Sequence, residues 1–565
     1  MLKVGLLGAV STLLVGAAPA LAQGPGLPRT YQVERINSPL PALAGQFGQS
    51  SSPIGDLDGD GEVDIASVQI VGTPGGDGVI WVHSGETGAL LDSVNAPDSG
   101  NPTSAKDNNA AIVDRFVDRL TDIGSCASPP PASDPDQTCN DATIGAPDGA
   151  NEILVGAEGV DVGGVKDVGR VWILDGRTLA VLKRIDMPAS DRALIAARQA
   201  QFPTLTNILG GFGRTAVNPR GQSPCDGNSG VGPCPAMAQA VRIGDLDGGG
   251  QPDIVIGANR FSEVAATAHP DSHCAANAGA SICLGAGRAY VYRGEEIAGT
   301  DPAVTLDGEG PGQSVRILKN IAAQAEGLDT SFTRSEIFGH AQQLIGDVGA
   351  CRTGLVGTVT YPAVSPGERC SIAARTNVPD NKPDFIVASH RADTPIFNPD
   401  PGFFETGVSF LFDGATGALL YTYNHPEPQP NALFGYSTRQ SFPHGNIYPL
   451  GTTGALPDVM MAGTFQNASG RTQAGRDYLF NGDFNDAFPV RATLNDPTPH
   501  AFERFGVPTE GVGDLVPGKA GFEVLVGAFS SNEGRPDAFS DLHFANPLGE
   551  EILQTISDPD AQPEA

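Results

Sequence analysis

The chain alternates short apolar runs with glycine-rich turns. The runs include DIASVQI (64–70), GVIWVH (78–83), NEILVGA (151–157), PDIVIGA (252–258), GRAYVYRG (287–294), PDFIVAS (383–389), GVSFLFDG (407–414) and EVLVGA (523–528). They are rich in β-branched and aromatic residues, and turn signals bound them. That pattern predicts short strands covered on both faces. The runs recur in one local order. A Phe-Gly pair leads to an acidic loop, a strand, a second strand, a tight Gly-x-Thr-Gly turn and a further strand. Pairing is local throughout, as in small antiparallel sheets.

Repeats of this order divide the chain into six units, at roughly 40–100, 110–188, 210–310, 336–426, 432–497 and 503–557. One such sheet cannot bury both faces alone. Packed face to face around an axis, the sheets give a β-propeller. The expectation is therefore an all-β, single-domain propeller over 23–565, with six recognisable blades and room for a seventh. The strand-like Tyr31–Ile36 is expected to complete the last sheet, in competition with Glu551–Ile556. Ala-rich patterns predict short helical insertions at Asp191–Gln201, with Ser190 as N-cap, and at Ser314–Gly327.

The best-defined acidic loop is GDLDGDGEVDI (55–65). It sets Asp56, Asp58, Asp60 and Asp64 at positions one, three, five and nine, with Gly59 and Gly61 between them. Hard cations take six to eight oxygen ligands, and alternate carboxylates on a curled loop can face one centre. An EF-hand would need a glutamate at position twelve and a helix afterwards. Position twelve is Ser67, and a strand-like run follows. A second loop, GDLDGGGQPDI (244–254), keeps Asp245, Asp247 and Asp253 but has Gly249 at position five. Two further loops are split after their first aspartate, as Asp122/Asp148/Glu152 and Asp347/Asp380/Asp384. The loop before Asp458 offers Leu450, Thr452 and Gly454, and the one after Asp514 contains Lys519, so neither is expected to take metal.

Phe-Gly, then G-D-x-D-G-D-G-x-x-D, then a strand ending in Gly-Ala, then G-x-x-Y-V-Y-x-G, resembles the FG-GAP repeat of integrin α-subunit propellers and of secreted bacterial proteins. The resemblance covers nearly the whole chain after its first residues. It implies a propeller that binds calcium in its loops as a structural ion. The implied ligands are Asp56, Asp58, Asp60 and Asp64 with the Glu62 carbonyl, and Asp245, Asp247 and Asp253 with the Gln251 carbonyl. Integrin propellers have seven blades, and the leg domains and membrane anchor of an adhesion receptor have no counterpart here.

Charge and cysteines narrow the setting. A formal charge of −31 argues against nucleic acid and against an anionic membrane surface. Lys3, the apolar run Val4–Ala18 and Ala20-Leu21-Ala22 read as a signal peptide over 1–22, so the protein is expected to be secreted, outside the cell or in the periplasm, without membrane insertion. The eight cysteines fall in sequential couples, Cys126/Cys139, Cys225/Cys234, Cys274/Cys283 and Cys351/Cys370, read as loop-stapling disulfides. Cys126 and Cys351 each lie four residues after a first loop aspartate, so two excursions leave the loops at the same place.

No G-x-S-x-G, H-E-x-x-H or P-loop is present. His390-Arg391-Ala392-Asp393 follows a predicted strand and reads as an exposed polar loop, and His340 as a strand cap. The G-x-T-G-A-L-L turn also resembles quinone-dependent dehydrogenase propellers, but those dock blades with many tryptophans and this chain has only Trp81 and Trp172. The expected role is a calcium-stabilised binding module for an extracellular protein or glycan. The alternatives are an extracellular hydrolase or lyase working at the central face, and a scaffold that self-assembles through its inserted loops.

Overall fold

The structure is a computed structural model. It describes residues 36–557 apart from 70–78, 96–115, 127–138, 202–211, 218–244, 266–273, 320–337, 393–404, 437–457, 483–489, 529–540 and shorter breaks. Strands dominate, and six antiparallel sheets follow one another, one from each sequence unit. The first holds Ser51–Gly55, Asp64–Gln69, Val79–His83 and Leu90–Asn95. The second holds Phe116–Leu120, Glu152–Ala157, Arg170–Leu174 and Val181–Asp186. The third holds Phe212–Val217, Ile254–Ala258, Arg288–Tyr292 and Val315–Lys319. The fourth holds Ala341–Gly346, Asp384–Ser389, Val408–Phe412 and Leu419–Asn424. The fifth shows three strands, Val459–Ala462, Asp477–Phe480 and Val490–Leu494. The sixth holds Phe505–Gly513, Glu523–Ala528, Asp541–Asn546 and Glu551–Ser557.

Each sheet packs on the next. Ile80 and Val82 of the first meet Trp172 and Leu174 of the second. Ile173 shares a core with Ile254 and Tyr290, Val255 and Val291 with Phe385 and Phe410, Leu411 with Met461 and Tyr478, and Leu479 with Val524 and Val526. A middle sheet thus buries both faces, so its strands read as unbroken apolar runs instead of alternating ones.

The Phe-Gly pairs are the stitches between sheets. Phe338 N donates to Ala286 O, Phe434 N to Thr406 O and Phe505 N to Ala474 O, each reaching back to the preceding unit. The glycine after the phenylalanine then donates within its own unit, Gly339 N to Ala388 O and Gly435 N to Ala462 O. The stitch requires a glycine before the third strand it touches. Gly407 has φ +92°, and a Cβ there would lie 2.3 Å from Phe434 O. Gly287 and Gly475 are crowded in the same way by Phe338 and Phe505.

Several sequence expectations are corrected. The sixth sheet takes its fourth strand from Glu551–Ser557, not from the N-terminal segment, most of which lies outside the described residues. A hairpin through Asn546 and Pro547 closes a far shorter loop than a return from the N-terminus. Residues 315–319 form the fourth strand of the third sheet and not a helix, because Val315 and Ile317 alternate in a β-branched pattern. The helix predicted from Asp191 runs over Ala189–Gln201, so Ser190 lies inside it and caps nothing. Asp191 anchors that helix to the third sheet, accepting from Arg288 Nη1 at 2.6 Å and Tyr290 Oη at 2.7 Å.

Disulfides join Cys126 to Cys139 and Cys351 to Cys370. Cys274 and Cys283 stand opposite each other in a strand pair, while Cys225 and Cys234 lie outside the described residues, as do the signal segment and His340. No described helix is long and apolar enough to cross a membrane.

Candidate metal centres in the acidic loops

The first loop curls around Asp56. Its carboxylate accepts from Gly59 N at 2.7 Å, Asp60 N at 3.1 Å and Gly61 N at 2.9 Å. Gly59 and Gly61 adopt φ of +80° and +95°, the left-handed region that a tight curl requires. The curl brings carboxylate oxygens of Asp56, Asp58 and Asp64 within 4.8 Å of one another. Asp60 stands beside this group, accepting from Glu62 N at 2.8 Å and Ser84 Oγ at 3.3 Å.

The second loop repeats the curl. Asp245 accepts from Gly248 N, Gly249 N and Gly250 N at 2.6, 2.9 and 2.7 Å. The carboxylates that converge here are Asp245, Asp247 and Glu295. Glu295 was not expected, because it comes from outside the loop, in the short helix Gly294–Gly299 after the third strand. A Cβ on Gly249 would lie 1.8 Å from Glu295 Oε1, so Glu295 fills the space that the missing fifth-position side chain leaves. Glu295 Oε1 accepts from Gln251 N at 3.2 Å. Glu295 Oε2 is buried with no hydrogen-bond donor, its closest cation being Arg293 Nη2 at 3.7 Å. Arg293 Nε pairs with Asp247 Oδ2 at 2.6 Å.

Asp253, expected as a ligand, stands outside that group. It accepts from Leu246 N at 2.7 Å and Gly294 N at 2.8 Å, and burial pushes its carboxyl up to about 7. This is one instance of a device found in all six units: a buried acid at the start of the strand that follows the acidic loop. Asp64 accepts from Leu57 N and Gly85 N. Glu152 accepts from Ile123 N and Gly124 N. Asp384 accepts from Val348 N and Gly414 N. Asp458 accepts from Gly482 N, and Glu523 from Leu515 N and Val516 N. In three units, Asp64, Asp253 and Asp384 each tie the loop start to the turn after the third strand. Their primary bonds are to the backbone, which sequence spacing alone does not distinguish from metal ligation.

The split loop at Asp347 returns in register. Asp380 N and Asn381 N donate to Asp347 as Asp60 N and Gly61 N do to Asp56. Asn381 adopts φ +68° in place of a glycine. Burial first, then mutual repulsion, pushes Asp347 up to about 6, and burial with repulsion from Asp413 does the same to Asp380. Among the described residues no third carboxylate joins them. In the other split loop Asp122 is not described, and Asp148 pairs with Arg177 Nε at 3.1 Å. Both excursions are rooted alike: Cys126 N donates to Asp175 Oδ2 and Cys351 N to Asp413 Oδ2, and Cys139 N and Cys370 N donate to Val181 O and Leu419 O. In the first unit, which has no such excursion, the turn begins with Ser84 instead of an aspartate.

The remaining sequence candidates form no centre. His390 is buried with its ring edge-on to Tyr436, Arg391 lies 3.7 Å from Glu405, and Asp393 is not described. Lys519 pairs with Glu551, and Leu450, Thr452, Gly454 and Asp514 lie outside the described residues. Trp81 and Trp172 are buried in the first and second sheets.

No protein-family model matches the chain, and no curated protein does. Among solved structures it is similar to the rhamnogalacturonan lyase PL11 of Bacillus licheniformis, at 12% identity and a TM-score of 0.26 over 91% of this chain and 70% of that one. It is also similar to the rhamnogalacturonan lyase YesW, at 10% identity and a TM-score of 0.30 over 89% and 68%. A europium-containing methanol dehydrogenase aligns at 12% identity and a TM-score of 0.19 over 88% and 60%. Likeness at this level carries no argument about activity.

Proposed function

We propose that the chain is a secreted, six-bladed FG-GAP-type β-propeller whose loops take structural calcium and whose surface binds an extracellular protein or glycan. Four features support the propeller: the sheet-to-sheet order of packing, the repeated Phe-Gly stitch, the recurrent buried acid, and disulfide-rooted excursions at equivalent places. The observation that carries the calcium reading is the gathering of three carboxylates in each of two equivalent loops. The buried, donor-free Glu295 Oε2 fits a cation at the second one.

Asp56, Asp58 and Asp64 would hold the ion in the first loop, with Asp60 and the Glu62 carbonyl beside them. Asp245, Asp247 and Glu295 would hold it in the second, with the Gln251 carbonyl. When bound, calcium supplies charge neutralisation and a fixed loop. The residues themselves set the curl through their backbone bonds, and loops braced in this way make a rigid platform for recognition. Two measurements test the reading. Chelation should lower the melting temperature, and a panel of extracellular glycans and proteins should yield a calcium-dependent binder. An unchanged melting temperature removes the calcium. Shortening of a glycan on the panel would replace the binding module by a hydrolase or lyase.

A further inference from the structure

The described residues include eleven large aliphatic side chains that are strongly exposed, and eight of them fall in two patches. Five lie on the excursion 351–378, whose tip is the hairpin Gly354–Val356 and Val359–Tyr361. Leu355 is 72% exposed, Val359 50% and Val356 45%. This finger is held stiffly at its root. The Cys351–Cys370 bond is buried, Arg352 N donates to Ala374 O, and Leu419 N donates to Glu368 O. A side chain added at Gly354 or Gly357 would meet nothing within 4 Å, so the tip stands clear of the body. Residues 353–367 carry no charge, and the whole segment has three arginines against one glutamate in a chain of net charge −31.

The other patch is the outer edge of the first sheet. Strand Leu90–Asn95 is exposed at five of its six residues, with Leu90 and Leu91 in the open. Val63 is exposed too, and its carbonyl lies against Gly85 in the turn leading to that strand. The outer strands of the second and fourth sheets are covered by their disulfide-tied excursions, through Cys139 N to Val181 O and Leu419 N to Glu368 O. Among the described residues no segment pairs with the outer edge of Leu90–Asn95. Apart from the four aspartates of the calcium loop, the segments 56–64 and 84–95 carry Glu62, Glu86 and Asp92 and no basic residue.

We propose that the finger 351–378 seats on the Leu90–Asn95 edge, which no described segment covers, of a second copy of this chain. The match is twofold, apolar tip to apolar edge and basic root to acidic rim. An uncovered edge strand is a ready partner for another strand, and large exposed apolar patches mark interaction sites. The stiff root lowers the ordering cost of the contact. Because finger and edge are different surfaces, the contact is head-to-tail and builds rings or filaments.

Analytical ultracentrifugation of the signal-free chain over a concentration series tests this. The wild type should exceed monomer mass, less so at high salt. Leu355→Asp and Leu91→Asp should each be monomeric and melt as the wild type does at dilutions where it too is monomeric, both side chains being solvent-exposed. Mixing the two variants should restore dimers and stop there, since one carries an intact edge and the other an intact finger. A monomeric wild type, or association that survives both variants, overturns the proposal. So does flotation of the wild type with lipid vesicles that Leu355→Asp abolishes while the mass in solution stays monomeric.

Discussion

Replacing Gly407 by alanine should open the join between the fourth and fifth sheets. At φ +92° an alanine pays about 1–2 kcal/mol for the left-handed backbone. Its Cβ would sit 2.3 Å from Phe434 O and 2.4 Å from Phe434 N, so the stitch must move. That breaks the 2.8 Å bond from Phe434 N to Thr406 O, worth about 1 kcal/mol. It also drags the fully buried Phe434 ring from its place, at a cost of ~1–2 kcal/mol in lost packing. Together these come to ~4 kcal/mol, which speeds exchange of the Phe434 amide about a thousandfold when opening is local. Gly470→Ala is the control. Gly470 has φ +74° but nothing within 4 Å, so only the backbone cost of about 1–2 kcal/mol applies. Hydrogen–deuterium exchange read by mass spectrometry separates the two. Peptides of the first sheet should exchange as in the wild type in both variants. If Gly407→Ala leaves the Phe434 peptide protected within about threefold of Gly470→Ala, the stitch does not hold the sheets together.

Three other outcomes follow from the geometry. Glu295→Gln should weaken calcium at the second loop on the order of tenfold or more while leaving the first unchanged, because it removes one of three converging charges; competition with a fluorescent chelator reads this, and equal loss at both loops would contradict it. Asp477 is buried, and burial pushes its carboxyl up to about 7, above its unfolded value. Its stabilising contribution is therefore complete below about pH 4 and lost as pH rises through about 7, so Asp477→Asn should flatten the fall in stability over that window by ~4 kcal/mol; parallel pH profiles of wild type and variant would refute this. His425 works in the opposite sense. Burial lowers it to about 3, so stability is lost as pH falls from about 6.5 toward that value, and His425→Gln should soften the acid limb of the melting profile.

The unit pattern was readable because each strand is covered on both faces and each turn needs glycine. All six sheets lie where the runs GVIWVH, GRAYVYRG and GVSFLFDG and their neighbours predict. The Phe-Gly pair was visible as a motif, but its work was not. The stitch joins residues about thirty to fifty apart, such as Gly287 and Phe338 or Gly475 and Phe505, and only the third dimension brings them together. In the acidic loops, spacing found Asp56, Asp58, Asp245 and Asp247 but merged two roles into one. The ninth-position acid is first a backbone brace, as Glu152 and Glu523 show in loops where no carboxylate cluster forms among the described residues. Glu295 was missed because it enters from outside the loop. Its one signal was Gly294-Glu295-Glu296 in a unit whose fifth loop position had become Gly249. The helix expected over Ser314–Gly327 rests on the alanines downstream, and over 315–319 the alternation of Val315 and Ile317 outweighs them.

The central claim is that two of the six loops hold structural calcium. Calorimetric titration of the chelator-stripped, signal-free chain tests it most directly, beside Asp56→Asn and Asp245→Asn. The expected result is two sites in the wild type, one in each single variant and none in the double. Saturation at about a hundred times the dissociation constant should add about 2.7 kcal/mol per site, seen as a rise of several degrees in melting temperature. Absence of binding heat together with an unshifted melting temperature would contradict the account, as would two sites that persist in the double variant.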